Sequence, residues 1–242
     1  VGIITGTIAS GSTTDDTSLV ITGTLGGATA GASLASGETL RIYDGATYLG
    51  NATVTVVAGG QSTWSYTDSR TLTNAQALSF TARVADAAGN QSAAGTAYTA
   101  TVDTSAPATT AAVTGITDNV GIITGTIASG STTDDTSLVI TGTLGGATAG
   151  ASLASGETLR IYDGATYLGN ATVTVVAGGQ STWSYTDSRT LTNAQALSFT
   201  ARVADAAGNQ SAAGTAYTAT VDTSAPATTA AVTGITDNVG II

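Results

Sequence analysis

The chain contains no cysteine, histidine or methionine, and all six of its basic residues are arginine. Without thiol or imidazole groups, disulfides, zinc sites built on those ligands and Cys–His nucleophiles are excluded. Because most catalytic bases and nucleophiles are missing, we expect the chain not to be an enzyme. A glycosidase pair of Glu38 and an aspartate is the remaining catalytic alternative, but aromatic residues are scarce and no cleft is indicated.

Charged residues are also few, at 9% of the sequence, and the formal net charge is −10. A negative chain repels nucleic-acid phosphates and anionic membrane surfaces, so we expect neither as a partner, whereas cations are attracted. No apolar run approaches the roughly 20 residues of a membrane helix, and no signal peptide is recognisable. We therefore expect no membrane contact in this segment and any export signal or anchor outside it.

The dominant feature that is present is self-similarity. Residues 1–123 recur without a change as residues 120–242, which gives a repeat of 119 residues. That period is the size of one globular domain and is too long for a solenoid coil. The last four residues begin a third copy, so we expect a longer array that continues in both directions. Identical copies are expected to share one role.

Alternation of apolar and polar residues predicts short β-strands. The 31 glycines and the many Thr, Ser, Ala and Val residues are typical of strands joined by tight turns. Period-two alternation predicts strands at residues 19–25, 39–43, 52–57, 63–67, 78–85, 98–102, 111–116 and 122–127. Seven or eight strands per repeat, without crossover helices, predict an all-β, antiparallel, two-sheet sandwich.

The only two prolines, Pro107 and Pro226, follow the last predicted strand of each copy. A proline stiffens a junction and removes a hydrogen-bond donor, so we place the domain boundaries near residues 104 and 223. On this division, residues 1–104 form a repeat that lacks its first strand and residues 105–222 form a complete repeat. Residues 223–242 begin a third repeat.

Four motifs follow one another in each repeat. They are TDDT at residues 14–17, DAAGN at 86–90, VDTSAP at 102–107 and TDNVG at 117–121. In this order they resemble the bacterial immunoglobulin-like repeats of biofilm-associated proteins and of giant repeats-in-toxin (RTX) surface adhesins. The resemblance covers the whole chain. It implies tandem immunoglobulin-like β-sandwiches that form an extended, calcium-stiffened rod on the bacterial cell surface.

The acidic residues fall at predicted strand ends and turns, where hard cations find oxygen ligands. In such a sandwich Asp15, Asp16, the turn at Asp44 and Asp103 should lie where the chain leaves a domain. The turn of residues 205–209 should lie where the next domain begins. Calcium would relieve the repulsion between acids gathered at such a junction.

The residues predicted to bind Ca²⁺ are Asp15, Asp16, Asp86, Asp103, Asp118, Asp134, Asp135, Asp205, Asp222 and Asp237. The alternative is that these aspartates are ordinary turn residues that bond their own backbone.

Three functions follow from these observations. The first is a structural extender of a large adhesin, which projects a distal ligand-binding region for adhesion or biofilm formation and contacts only identical neighbouring repeats. The second is a subunit of a self-associating extracellular matrix fibre or surface layer, with other copies of the chain as partners.

The third is a carbohydrate-binding module at Trp64 and Trp183, although a single tryptophan per domain is more often part of the core. The arginines Arg41, Arg70 and Arg83 are expected to be exposed partners of nearby acids, each contributing little.

Overall fold

The computed structural model describes residues 3–26, 30–145 and 149–236, and their regular structure is strand throughout. This confirms the predicted all-β class. Within these residues there is no helix long and apolar enough to cross a membrane.

The strands form two successive units. Those of the first unit are β1 (Ser12–Thr14), β2 (Val20–Thr24), β3 (Thr39–Asp44), β4 (Thr47–Asn51), β5 (Thr53–Thr55), β6 (Thr63–Thr67), β7 (Ala77–Ala85) and β8 (Tyr98–Val102). Those of the second unit are β9 (Ala111–Asp118), β10 (Gly125–Ile127), β11 (Ser131–Thr133), β12 (Val139–Leu144), β13 (Thr158–Asp163), β14 (Thr166–Asn170), β15 (Thr172–Thr174), β16 (Thr182–Thr186), β17 (Ala196–Ala204) and β18 (Tyr217–Val221).

The second unit is a sandwich of two five-stranded sheets. One sheet has the order β10-β9-β12-β16-β15 and the other β11-β18-β17-β13-β14. All neighbours are antiparallel except β11 and β18, which are parallel. Both sheets contribute to one core, in which Ile140, Trp183 and Phe199 are at most 2% exposed. This is the immunoglobulin-like sandwich expected from the sequence, with ten strands where seven or eight were expected.

Several local predictions differ from the structure: β1 and β11 were not predicted, and the strand predicted at residues 52–57 is shorter, at Thr53–Thr55. Residues 47–51 form a strand that alternation did not reveal, because β4 pairs with β3 as a hairpin through the turn at Gly45, whose φ is 56°. Residues 122–124 are not strand, and Ile122 is fully exposed at 101%. The apolar Ile122-Ile123 pair suggested a strand, but β10 starts only at Gly125.

The first unit has the same arrangement with one sheet incomplete. Its five-stranded sheet is β1-β8-β7-β3-β4, and in the described ranges its other sheet consists of β2-β6-β5. No strand among the described residues pairs with the outer edge of β2, which corresponds to the edge of β12 that β9 covers. Ile21 is therefore only half-buried, whereas its counterpart Ile140 is 0% exposed.

The strand directions define two ends of each unit. We call the end where β8 or β18 finishes the leaving pole, and the opposite end the entering pole. The register of the strands places Asp44 and Asp68 of the first unit at its leaving pole. The loop after β7 or β17 lies at the entering pole. The long stretch of residues 26–38, of which 27–29 are not described, follows β2 at the entering pole.

A buried ion pair stabilises the leaving pole. The Asp68 side chain is 0% exposed, and Arg70 Nη2 lies 2.7 Å from its Oδ2. Arg70 Nη1 also contacts Asp44 Oδ2 at 2.9 Å, and Arg189 repeats both contacts in the second unit. The expectation of weak, exposed arginine partners was wrong for Arg70, because its partner Asp68 is fully enclosed.

The two other arginines of the first unit contact tyrosine rings. Arg41 lies 5.2 Å from the ring centre of Tyr48, and Arg83 lies 5.8 Å from that of Tyr43. Both distances are within the range of cation–π attraction. Aromatic faces thus take the place of the acidic partners expected for these arginines.

The Arg70–Asp68 pair predicts a specific pH dependence. Burial would raise the pKa of Asp68, but the hydrogen bonds from Arg70 outweigh burial and hold the pKa below its usual value. The pair therefore stabilises the fold above the unfolded pKa of about 3.9, and this stabilisation is lost as the pH falls through the lower folded pKa.

Replacing Arg70 by Gln should cost about 3 kcal/mol at neutral pH, because it leaves a buried carboxylate without its partner. The deficit should shrink on acidification, since the unpaired Asp68 then takes up a proton easily. Urea unfolding across acid and neutral pH measures this. The double variant Asp68→Asn/Arg70→Gln serves as control and should lose the pH dependence. A constant deficit in Arg70→Gln would contradict the prediction.

Substitution of Gly142 tests how much β9 contributes to the stability of the second unit. A Cβ at Gly142 would collide with the carbonyl oxygen of Ala112 in β9 and with the Trp183 ring, whereas the atoms nearest to one at Gly23 all belong to the Trp64 ring. Gly142→Ala should therefore cost about 3 kcal/mol, and Gly23→Ala about 1 kcal/mol. Calorimetric unfolding of the two variants measures both. Equal losses would show that β9 contributes little to closing the sandwich.

Candidate functional site: the seam between the units

A rigid loop follows β17 at the entering pole of the second unit. Asp205 Oδ1 accepts hydrogen bonds from the backbone N–H groups of Ala207, Gly208 and Asn209 at 2.9, 2.8 and 2.9 Å. Asn209 Nδ2 donates to Asp205 Oδ2 at 3.0 Å. Gly208 has a φ of 104°, a left-handed conformation that favours glycine. The DAAGN motif thus folds around its own aspartate.

This loop contacts the leaving pole of the first unit. Asn209 Nδ2 donates a 2.7 Å hydrogen bond to the carbonyl oxygen of Asp103. The Asp103 N–H in turn donates to Thr14 O at 2.8 Å, which holds that carbonyl in place. Gly208 packs against Ile4, so closely that an added Cβ would lie 3.2 Å from the Ile4 nitrogen. We call this set of contacts the seam.

A small cleft of about 300 Å³ opens at the seam, and Asp15 is the one predicted metal ligand among its lining residues. It is lined by Ile3, Asp15, Thr104, Ala106, Gly208, Asn209 and Gln210. The Asp15 carboxylate accepts no hydrogen bond from another described residue. Burial raises the pKa of Asp15, and the nearby charges of Asp16 and Asp205 raise it further.

Comparison of equivalent residues in the two identical repeats shows which side chains are buried by the seam. Asp15 is 7% exposed, whereas its counterpart Asp134 in the second unit is exposed. Ala207 in the seam loop is 2% exposed, whereas the counterpart Ala88 is exposed. Because the sequences are the same, the neighbouring unit causes the difference.

A second group of predicted ligands lies at the leaving pole of the second unit. Asp118 Oδ2 accepts from Thr133 Oγ1 at 2.7 Å, and Asp135 Oδ2 accepts from the Asn119 N–H at 3.1 Å. Both aspartates are at most 2% exposed. Asp222 joins this pole through its N–H, which donates to Thr133 O at 2.8 Å.

The remaining predicted ligands are separate from these groups. Asp16 accepts from the Ser18 N–H at 2.8 Å in a local turn. Asp86 holds the loop of residues 86–90 at the entering pole of the first unit. Asp237 lies outside the described residues. Local backbone bonding, the alternative weighed for these aspartates, therefore occurs alongside the gathering at the poles.

The oxygen atoms at the seam are of the type that Ca²⁺ prefers as ligands. Asp15 offers a buried carboxylate that accepts no hydrogen bond from another described residue, beside the charge of Asp205. Within the described ranges, however, no three acidic side chains stand close enough to hold one ion together. Since calcium takes six to eight oxygens, carbonyl oxygens such as that of Asp103 would have to supply the rest.

The tryptophans are core residues more than binding platforms. Trp183 is 2% exposed, and its Nε1 donates to Thr143 O at 3.1 Å. Trp64 makes the same bond, to Thr24 O at 3.2 Å, but is only half-buried because the first unit is open. In the closed unit no ring face is free for a sugar.

The sequence alone did not reveal the contact of Ile4 with Gly208 or the use of the Asp103 main-chain oxygen. Glycine is common in any turn, and a backbone carbonyl carries no side-chain signature. The exposed apolar pair at residues 122–123 was the available signal, and it was interpreted as strand.

No protein-family model matches the chain, and no curated protein matches it. Among solved structures, the fibronectin(III)-like modules of CbhA from Clostridium thermocellum are 13% identical, with 89% of this chain and 90% of that chain covered and a TM-score of 0.46. The tandem Ig repeats of Dlar are 11% identical, with 88% and 93% covered and a TM-score of 0.23. The BSP domain of a biofilm-associated protein is 18% identical, with 90% and 29% covered and a TM-score of 0.24. The chain is a tandem of immunoglobulin-like β-sandwich units, and these likenesses concern the fold alone.

Proposed function

We propose that the chain is a structural extender of a large bacterial cell-surface adhesin, a stiff spacer that projects a distal ligand-binding region. The observation that carries this proposal is the seam. It is built from residues that recur in every copy, so each further repeat can form the same joint. A joint between two different surfaces that repeats along one direction produces an open-ended array.

The far end of the second unit supports this proposal. Ile122 and Ile123 are 101% and 64% exposed, and Asp134 is exposed too. Their counterparts at the seam are Ile3, Ile4 and Asp15. At the seam Asp15 is buried and Ile3 half-buried, while Ile4 is still 44% exposed, so the same surface is present and more exposed at the leaving pole of the second unit.

Stiffness follows from how the units meet. Strands of nine residues such as β17 are about 30 Å long at 3.3 Å per residue, so each repeat adds at least that length to a rod. The contact of Asn209 with Asp103 lies beside the linker and restricts rotation about it. Function then depends on length and rigidity, and we propose no catalytic role.

Calcium at the seam is part of the proposal. Burial and neighbouring negative charges raise the pKa of the Asp15 carboxyl. A cation beside Asp15 and Asp205 would lower that pKa, and it would tie the two units together. An extracellular location at the bacterial surface and a relation to RTX adhesins complete the proposed role.

A second candidate function is self-association into an extracellular fibre. The scarcity of charged residues, 9% of the sequence, favours it, because few charges leave little repulsion between the sheet faces of neighbouring chains. Carbohydrate binding at the tryptophans has no comparable support, since Trp183 is enclosed in the complete unit.

Replacing Asn209 by Ala tests the stiffness. The loop loses the same internal bond in Asn209→Ala and Asn90→Ala, but only Asn209 also bonds to Asp103. We expect Asn209→Ala to broaden the range of angles between the units and to lower the radius of gyration, measured by small-angle scattering extrapolated to infinite dilution. Asn90→Ala should scatter like the parent chain. If the two variants scatter alike, the seam does not hold the units in line.

Chelation tests the metal. In calcium the chain should scatter as one rigid rod, and excess chelator should make it flexible at the seam. Asp205→Asn should abolish this response, whereas Asp86→Asn, the same change in a loop without a described neighbour, should preserve it. Titration calorimetry should show a correspondingly lower calcium affinity for Asp205→Asn alone. A rod that stays rigid in chelator would contradict the calcium proposal and leave the proposed spacer role unaffected.

A further inference from the structure

The outer face of the sheet that contains β3, β4 and β7 carries a group of arginine and tyrosine side chains. Ile42 of β3 points into the core and is 0% exposed, so its neighbours Arg41 and Tyr43 point outward. The strand register places Arg83 of β7 opposite Arg41, and Tyr48 of β4 opposite Tyr43. We call these four outward side chains the patch. The patch of the second unit consists of Arg160, Tyr162, Tyr167 and Arg202.

The two patches contain every arginine for which the described residues provide no acidic partner. The chain has six arginines, and in the described ranges only Arg70 and Arg189 form salt bridges. Arg41 and Arg83 moreover lie directly opposite each other on neighbouring strands, where like charges destabilise a sheet. The chain has 16 acidic residues that could have compensated these charges. An anionic ligand would compensate them instead.

The Arg41 guanidinium is not fixed by contacts within its own unit. Arg41 Nε has no hydrogen-bond partner among the described residues, whereas Nε of the identical Arg160 donates to the Tyr162 hydroxyl at 3.1 Å. Arg41 lies 5.2 Å from the ring centre of Tyr48, and Arg160 lies 3.7 Å from that of Tyr167. One sequence thus places the same side chain in two ways, so the guanidinium can turn toward a ligand.

The other polar groups around the patch suit a ligand rich in hydroxyl groups. The Tyr43 hydroxyl accepts a 2.8 Å hydrogen bond from Gln91 Nε2, which leaves its own proton to donate. The Tyr48 hydroxyl donates to Asn51 Oδ1 at 2.8 Å, which leaves the Asn51 amino group as a donor. Thr81 lies opposite Tyr43 and adds a hydroxyl that donates or accepts. Donors and acceptors of both kinds therefore surround the two cations.

Both units present the patch to solvent. Tyr48 is 46% exposed and its counterpart Tyr167 is 42% exposed, so the seam leaves the patch of the second unit open. Exposed tyrosine rings can pack against the C–H face of a sugar ring. The patch is also separate from Trp64, which lies in the other sheet of the unit. The chain thus offers the same aromatic and cationic surface twice.

We propose that each patch binds a glycan that carries isolated carboxylates among neutral sugars. One carboxylate accepts hydrogen bonds from Arg41 and Arg83, because the planar guanidinium group matches the geometry of a carboxylate. The adjacent neutral sugar packs against the Tyr48 ring, and its hydroxyl groups bond to Asn51 and Thr81. This binding role does not rest on the proposed spacer role or on calcium.

Charge and size favour such a glycan over other anionic partners. A densely charged polymer is repelled by the net charge of −10, whereas isolated carboxylates meet only the local pair of arginines. A stable protein interface takes about 20 residues or more on each side, far more than the patch provides. A short stretch of sugar rings matches the extent of the patch.

A hyaluronan tetrasaccharide tests the proposal, because it alternates a uronic acid with a neutral sugar. It is titrated into the ¹⁵N-labelled full chain in chelator and followed by NMR. The signals of both patches should shift, while those of the seam should stay unchanged. The carboxyl-reduced tetrasaccharide should bind about tenfold more weakly, since it lacks the charge-assisted hydrogen bonds.

The double variant Arg83→Gln/Arg202→Gln removes one arginine from each patch and should weaken binding about tenfold. Thr63→Asp/Thr182→Asp is the matched control. It makes the same change in net charge at exposed positions of the other sheet, and it should bind like the parent chain. Circular dichroism shows that each variant is folded.

Four outcomes would each overturn the proposal. They are no binding at millimolar tetrasaccharide, equal affinity for the carboxyl-reduced form, an unchanged affinity in the arginine variant, and an equal loss of affinity in the threonine control. A capped Gly-Glu-Gly-Glu peptide carries the same number of carboxylates as the tetrasaccharide. If it binds as tightly, the patch recognises acidic protein segments and the glycan proposal is wrong.

Discussion

The pairing of β9 with β12 determines whether a unit has a closed core. With β9 in place, Ile140 and Trp183 are at most 2% exposed, whereas their identical counterparts Ile21 and Trp64 are half-buried in the first unit. Apolar burial requires a cover as well as an apolar residue, and one eight-residue strand provides it. Where no such strand is described beside β2, Val20 is 61% exposed.

The same dependence on neighbours operates at the poles. In both units the backbone of the DAAGN loop donates hydrogen bonds to the loop's own aspartate, but only the loop of residues 205–209 is covered by another unit. Asp15 is buried at the seam and the identical Asp134 is exposed. A repeat protein of this kind is therefore best described by its units together with its nearest-neighbour contacts.

Acidic residues are used in two ways. Asp68 and Asp187 are enclosed with an arginine partner, which compensates their burial within a unit. Asp15 is enclosed without such a partner, between two units, and its raised pKa reflects that position. Within each unit an arginine thus compensates the buried aspartate, whereas Asp15, which has no such partner, lies where the two units meet.

Much of this could be predicted from the sequence, because it depends on local periodicity. Alternation at residues 39–43 and 98–102 led to β3 and β8, the lack of helical patterns led to the all-β class, and the exact recurrence of residues 1–123 led to two like units. The acids were recognised as turn residues, since turn chemistry is local as well. Only the tertiary structure showed that β4 pairs with β3, that Asp68 is enclosed with Arg70, and that Asn209 bonds to the Asp103 carbonyl. Identical residues have different environments in the two units, so these environments could not be predicted from the sequence of one repeat. Burial at a seam or under an added strand depends on what lies opposite in space, and that information is not contained in the order of residues within a single repeat.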